Sequence, residues 1–297
     1  MTTLPGIDDN FAKEGHRRES SKTDAEFSTE YFQNAPLRRV MQYTIESKMR
    51  MPSQIRPLAG KVALITGAAK RLGRVSALKL AEGGADVAVT YLHSAREARN
   101  TVRQIERLGV RALAVRCDVT DEKSVRTAVQ QVLKNFGGID VLVNNAGNYE
   151  TVEFESLTLR QWDAIFASNV RGPFLVSKEA LPYLRKRHGR IVHLGSLGGL
   201  RPWADHAHYC SSKAALHMLT KVMAKALAPE ISVNCVAPGM IDLGEKSAAG
   251  LMRRMAVQTP MRRNGKANDV ASAVLFFACA PQFITGQILY VDGGLGL

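Results

Sequence analysis

Residues 57–297 predict an α/β fold: a doubly wound parallel sheet of seven strands in a single domain, behind an N-terminal extension over residues 1–56. Three observations carry this reading. Short apolar runs of the kind buried on both faces recur along the chain and alternate with amphipathic stretches. The first run ends in a glycine-containing turn that opens into such a stretch, the order a phosphate-binding turn requires. No linker, repeat or low-complexity tract divides the chain after residue 56, so one sheet accounts for all the runs.

The elements follow in order. Lys61–Thr66 is the first strand, Gly67–Gly73 its turn and Arg74–Glu82 a helix. Asp86–Thr90, Arg111–Arg116, Asp140–Val143, Arg190–Leu194, Ser232–Val236 and Gln287–Val291 are the other strands. Helices are expected over Ser94–Leu108, Asp121–Phe136, Leu157–Arg187, His208–Ala228 and Asn268–Ala280. Alternation of this kind is the Rossmann-type arrangement, whose ligands lie at the carboxyl ends of the strands. Residues 1–56 are polar, mixed in charge and without a sustained period, so they are expected to be disordered or partly helical, with a short helix near Leu37–Met49.

Composition narrows the functional class. Apolar residues make up 45% and charged residues 23% of the chain, as in ordinary globular proteins. No apolar run approaches the ~20 residues of a membrane span. The first ten residues lack a secretory h-region, and Asp8, Asp9, Glu14 and Glu19 argue against a transit peptide; the expectation is a cytoplasmic protein. The four cysteines are widely spaced with no Cys-x-x-Cys pair, which favours buried reduced thiols over disulfides or a zinc site. Of the net charge of +13, residues 57–297 carry +12 (31 Lys/Arg against 19 Asp/Glu). No basic run with interleaved aromatics accompanies it, so nucleic acid is not expected; phosphate-bearing cofactors, acidic substrates or a plain basic surface all fit.

The candidate chemistry lies between Ser196 and Lys213. This stretch offers a hydroxyl, then the phenol of Tyr209, then the Lys213 amine one helical turn on, where the two can act together. Tyr-x-x-x-Lys alone is a weak signal, since this composition yields about 0.35 such pairs by chance. Order and context strengthen it. Thr66-Gly67 with Gly73, Asn144-Asn145-Ala146-Gly147, Ser196, Tyr209 with Lys213, and Pro238-Gly239 occur in sequence, each at the end of a strand or the start of a helix. In this order they resemble the short-chain dehydrogenase/reductase family, over essentially all of residues 57–297.

That resemblance implies a set of roles. Gly67, Leu72 and Gly73 would form the turn under the cofactor pyrophosphate; Asp118 would meet the adenine amino group and Val119 pack its ring. Asp118 is equally a candidate helix cap, although Asp121 competes for that place. Asn145, Ala146, Gly147, Pro238, Gly239 and Ile241 would line the cofactor. The second strand ends in Thr90-Tyr91-Leu92-His93-Ser94, with no carboxylate for a ribose 2′-hydroxyl, while Lys70 and Arg71 stand in the neighbouring turn. Both suit a 2′-phosphate, with Ser94 as a further donor, so the expected cofactor is NADPH/NADP+. Arg71 replaces the family's usual middle glycine, as in the similar pteridine reductases. Those enzymes carry an aspartate where this chain has Ser196, and the Ser-Tyr-Lys set is similar to that of 3-oxoacyl-carrier-protein reductases.

Tyr209 is then the expected proton donor and Ser196 the group that stabilises the substrate oxygen. Lys213 would lower the phenol pKa, with help from the oxidised nicotinamide, and bind the ribose; Asn169 would relay protons. The expected reaction is reduction of a carbonyl in a small molecule, free or linked to CoA or a carrier protein, reversible to alcohol oxidation. Reduction of a pterin or enoyl group and a non-catalytic NADPH-binding sensor are the alternatives. A basic stretch, Arg185–Arg190, would greet an acidic carrier or simply complement a helix dipole. Trp203 and His206 line the substrate pocket or merely pack. Leu243 stands where a carboxamide-binding threonine is usual, and Met240, Leu251, Met252 and Met255 belong to an apolar lid or to the core. The family implies self-association as a homotetramer or dimer. No metal site is expected.

Overall fold

The computed structural model describes residues 56–297. The expected extension and its helix near Leu37–Met49 lie outside the described residues. The elements are β1 (Val62–Ile65), α1 (Arg71–Glu82), β2 (Asp86–Tyr91), α2 (Ala95–Glu106), β3 (Ala112–Arg116), α3 (Glu122–Phe136), β4 (Val141–Asn144), α4 (Leu159–Phe166), α5 (Gly172–Lys186), β5 (Arg190–Leu194), α6 (Ala207–Leu227), β6 (Ser232–Pro238), β7 (Ile241–Asp242), α7 (Ala249–Gln258), β8 (Gly265–Lys266), α8 (Ala267–Cys279) and β9 (Ile288–Val291).

Seven strands form one sheet in the order β3-β2-β1-β4-β5-β6-β9, every neighbouring pair parallel. The order reverses between β1 and β4, and the crevice for a ligand opens at such a reversal. The apolar runs are continuous because both faces are covered. Ala63, Ile65, Val87 and Val89 meet Leu80 of α1, Ile105 of α2 and Val274 of α8 on one face. Their alternates Val62, Leu64 and Ala88 meet Val129 of α3 and Val176 and Leu184 of α5 on the other. Each such leucine or isoleucine, fully buried, contributes roughly 1.5–3 kcal/mol.

Three departures from the expected elements bear on the site. The helical region expected over Leu157–Arg187 is interrupted by a π-turn at Ala167–Arg171, which buries Ser168 and Asn169. After β6, the two-residue strands β7 and β8 pair with each other, Ile241 opposite Gly265. Between them α7 carries Leu251, Met252 and Met255 and buries no residue fully, so these side chains are not core.

The basic stretch Arg185–Arg190 ends α5 and begins β5, whereas Ser196 follows the other end of β5. It therefore stands at the amino edge of the sheet, away from the pocket beside which it was expected. There Arg187 pairs with the buried Asp140 at 2.9 Å, and Lys61 joins it at 3.1 Å. Arg190 donates to the carbonyl of Ala280 at 3.0 Å, so the stretch holds the fold together. Cys117 and Cys235 are buried free thiols as expected, but Cys210 is partly exposed and Cys279 is exposed.

Candidate active site

The carboxyl edge at the reversal is tied together by Thr66 and Asn145. Thr66 Oγ1 accepts from the amides of Asn145 and Ala146, both at 3.0 Å. The Asn145 side chain donates back to the carbonyls of Thr66 (2.8 Å) and Gly67 (3.0 Å). Gly67 is left-handed (φ 63°), and a Cβ there would lie 2.9 Å from the Ala146 backbone. A Cβ on Gly73 would meet Asn145 Nδ2 at 2.4 Å, so the turn and β4 pack without room for side chains. Leu72 points the other way and packs against the core.

α1 opens directly from this turn. No side chain caps it and no acidic residue stands in its first turn. Its first amides and the positive end of its dipole therefore face the crevice unneutralised, which suits a pyrophosphate. Gly147 adds a second fit: a Cβ there would press on Asn169 Oδ1 at 2.8 Å and come within 3.9 Å of Lys213 Nζ. Glycine keeps the backbone low over those two groups. Pro238 ends β6, and a Cβ on Gly239 would meet Asp292 at 2.5 Å.

At the far end of the crevice, Asp121 caps α3 by accepting from the amide of Lys123 at 3.1 Å. Asp118 is thereby relieved of that task; its Oδ1 accepts from Thr120 N and Oγ1. Val119 packs against Gly172 at the start of α5. Ser94 sits at the N-cap of α2, yet its hydroxyl makes no capping bond. Lys70 is exposed and pairs with no described residue. Arg71 behaves differently from the expectation that it joins Lys70. It is left-handed (φ 54°) and pairs through Nη2 with Glu245 Oε1 at 2.5 Å, on the segment after β7. Its guanidinium is thus engaged by a carboxylate from the far part of the chain.

The residues expected to act come together on α6 and its approach. Tyr209 and Lys213 lie one turn apart in α6, and Lys213 Nζ is 5.8 Å from the centre of the Tyr209 ring. Lys213 is buried and donates to the carbonyl of Leu194 at 2.8 Å; burial brings its amine down to about 8. Burial pushes the Tyr209 phenol up to about 12, only partly offset by the Ser196 hydroxyl beside it. Without the nicotinamide charge that the expected lowering also invokes, lost hydration outweighs the polar neighbours and the phenol is raised. Asn169 is also buried. Its Oδ1 accepts from the neighbouring Ser168 hydroxyl at 3.1 Å, and it also reaches beyond its own helix to the backbone of Asn148, while its Nδ2 donates to Ser212 Oγ at 3.1 Å. Ser212 in turn donates to the carbonyl of Tyr209 at 2.7 Å.

An aromatic wall surrounds the phenol. Tyr149 meets Tyr209 edge-on with ring centres 4.9 Å apart, and Trp203 lies parallel to Tyr209, 8° between planes, at 6.4 Å. His206 shares a hydrogen bond with the Tyr149 hydroxyl (2.7 Å) and burial lowers its pKa. Trp203 and His206 therefore line the site. Tyr149 was not read from the sequence, where it is only an aromatic residue in a loop.

A family model described as enoyl-(acyl carrier protein) reductase matches residues 67–296. The chain is a short-chain dehydrogenase/reductase. It is 38% identical over 240 residues to the 3-oxoacyl-[acyl-carrier-protein] reductase of Staphylococcus aureus, a match covering 79% of this chain and 98% of that protein. Among solved structures, a short-chain dehydrogenase/reductase from Serratia marcescens matches with TM-score 0.77 and 37% identity, covering 81% of this chain and all of that one (100%). A blue fluorescent protein from a metagenomic library, solved in complex with NADPH, matches with TM-score 0.76 and 35% identity at the same coverage, 81% and 100%. As a member of this family the protein is an oxidoreductase, and its Ser196, Tyr209 and Lys213 stand at the carboxyl edge of the sheet.

Proposed function

We propose that this short-chain dehydrogenase/reductase is a cytosolic NADPH-dependent carbonyl reductase, with Tyr209 as proton donor. The observation that carries the reading is geometric: the Tyr209 phenol stands beside Ser196 and one helical turn before Lys213, whose Nζ lies 5.8 Å from the centre of its ring. Reduction needs a proton donor at the carbonyl oxygen, and a phenol, with an ordinary pKa of about 10, carries its proton at neutral pH.

The residues that would hold the dinucleotide are Gly67, Leu72, Gly73 and the first amides of α1 at the pyrophosphate, and Asp118 and Val119 at the adenine. Asn145, Ala146, Gly147, Pro238, Gly239 and Ile241 would line the rest. Lys70 and Ser94, whose side chains have no partner among the described residues, suit a 2′-phosphate at the end of β2. Arg71 can add its charge once it parts from Glu245. NADPH in the similar metagenomic protein supports the same choice. When bound, the cofactor supplies a hydride to the carbonyl carbon. Ser196 donates a hydrogen bond to the carbonyl oxygen, and Tyr209 passes it a proton. The Lys213 ammonium holds the ribose and favours the phenolate left behind. Asn169, anchored between Asn148 and Ser212, steadies the route by which a proton returns. The reverse sequence oxidises an alcohol.

A second reading, reduction of a C=C bond, is favoured only by the description attached to the family model. Following NADPH oxidation by absorbance with simple diketones, acetoacetyl-CoA, crotonyl-CoA and dihydrobiopterin separates the two. Turnover of ketones is expected; turnover of crotonyl-CoA or dihydrobiopterin alone contradicts the proposal, and tight NADPH binding without turnover on a broad carbonyl panel points to a sensor.

The reading extends to assembly. Phe174 on α5 and Met218 and Val222 on α6 are apolar and about half exposed, and a second copy of the chain would cover them. Light scattering is expected to report a tetramer or dimer; a monomer contradicts it.

A further inference from the structure

Two loops face each other over Tyr209. Residues 148–158 and 197–208 touch where Val152 N donates to the carbonyl of Asp205 at 2.9 Å. Together they carry four carboxylates (Glu150, Glu153, Glu155, Asp205) and one guanidinium, Arg201. Arg201 is already engaged, donating to the carbonyls of Gly296 and Leu297. The loops thus carry more negative than positive charge, on a chain whose residues 57–297 carry a net +12 (31 against 19).

Behind these loops His208 is fully buried, and neither ring nitrogen has a hydrogen-bond partner among the described residues. Its Nε2 points at Glu150 Oε2 from 3.7 Å, beyond hydrogen-bond range. In front of it stands the aromatic wall, with Tyr149 61% exposed although its ring also packs on Tyr209 and its hydroxyl bonds His206. Aromatic faces backed by carboxylates attract organic cations. The same field repels phosphates and carboxylates, and no free cation on either loop answers it.

Resting on the carbonyl-reductase reading, we infer that the preferred substrate is a small ketone bearing a protonated amine, its cation held against Tyr149 and Trp203 and drawn in by Glu150. The anionic thioester of CoA or a carrier protein is disfavoured at this mouth. That sets the protein apart from what the name of its staphylococcal relative describes, with the same carbonyl chemistry behind a different entrance.

The test compares three ketones of one skeleton, neutral, ammonium-bearing and carboxylate-bearing, together with acetoacetyl-CoA, by kcat/KM with NADPH at low and high salt. The ammonium ketone is expected to exceed its carboxylate counterpart by on the order of 100-fold, the gap narrowing as salt rises. Glu150→Gln and Trp203→Leu are each expected to shrink that ratio by roughly tenfold. Equilibrium binding of the corresponding amino alcohol and hydroxy acid to the NADP+ complex, read by calorimetry, should show the same order. Equal selection of all three ketones overturns the inference, as does preference for the carboxylate or the CoA thioester, or a ratio untouched by Glu150→Gln. Turnover of the neutral ketone in those cases leaves the carbonyl-reductase reading standing; turnover of no ketone of any charge removes both.

Discussion

Asn169 grips the backbone of Asn148 at both ends: its amide oxygen accepts from Asn148 N at 2.8 Å, and its amide nitrogen donates to the Asn148 carbonyl at 2.9 Å. Through that grip the π-turn on one side of the crevice fixes the loop that carries Tyr149 on the other. Asn169→Ala leaves two backbone groups of Asn148 to find other partners. Loss of roughly 1–3 kcal/mol of stability is expected, with a fall in kcat larger than any rise in KM. Denaturant titration and steady-state kinetics on one preparation check both; an unchanged kcat would leave Asn169 a purely structural residue.

The two cations of the glycine turn have different surroundings, and their substitutions should differ. Lys70→Ala is expected to weaken NADPH by about 1.5–3 kcal/mol, the usual value of a hydrogen bond to a charged group, and to leave NADH almost unchanged. Glu245→Gln releases the Arg71 guanidinium from its ion pair. NADPH dissociation constants from fluorescence titration should then fall. Equal loss of both cofactors in Lys70→Ala would remove that residue from the 2′-phosphate.

Much of this was legible beforehand, and the rest was hidden for physical reasons. β1, its turn and α1 could be read because a strand buried on both faces leaves an unbroken apolar run. The π-turn at 167–171 could not, since the helical apolar pattern passes through it unchanged. Strands of two residues, as in β7 and β8, show no period. Ser196, Tyr209 and Lys213 were readable as a set, but the burial that raises the Tyr209 phenol was not: the neighbours' charges are written in the sequence and the depth of burial is not. The bearing of Arg71 depends on Glu245, a partner 174 positions away.

Two buried histidines make the fold sensitive to acid. His193 on β5 accepts no charge easily: Thr220 Oγ1 donates to the Leu216 carbonyl and therefore accepts from His193 Nδ1 at 2.9 Å, and burial brings this ring down to about 3. Burial and the nearby Lys213 bring His217 to about 4. Both are neutral in the fold, while the unfolded chain binds protons below about 6.5. Their stabilisation is complete above that pH and declines as pH falls from there toward 4, by about 1.4 kcal/mol per pH unit for each. Thermal melts from pH 7 to 4.5 should show the decline. His217→Gln should flatten it, and an unchanged slope would exclude His217 as a source.

Lys213 shows the opposite balance of function and stability. Its buried amine sits near 8 against 10.5 when unhindered, so at pH 7 the fold carries a poorly hydrated charge. That cost is present below pH 8 and recovered as pH rises through 8 toward 10.5. Lys213→Met is therefore expected to abolish turnover while melting no lower than the parent at pH 7. A variant several degrees less stable would show that the bond to Leu194 outweighs the buried charge.

The central claim is that hydride goes to a carbonyl carbon while Tyr209 protonates the oxygen. The most direct measurement offers a conjugated enone and NADPH carrying deuterium at the transferred position, with the product read by mass spectrometry and NMR. The account predicts an allylic alcohol with deuterium on the carbinol carbon, and a rate lowered roughly 10²–10⁴-fold in Tyr209→Phe. A saturated ketone with deuterium on the β-carbon, formed as fast by the Tyr209→Phe variant, would contradict it.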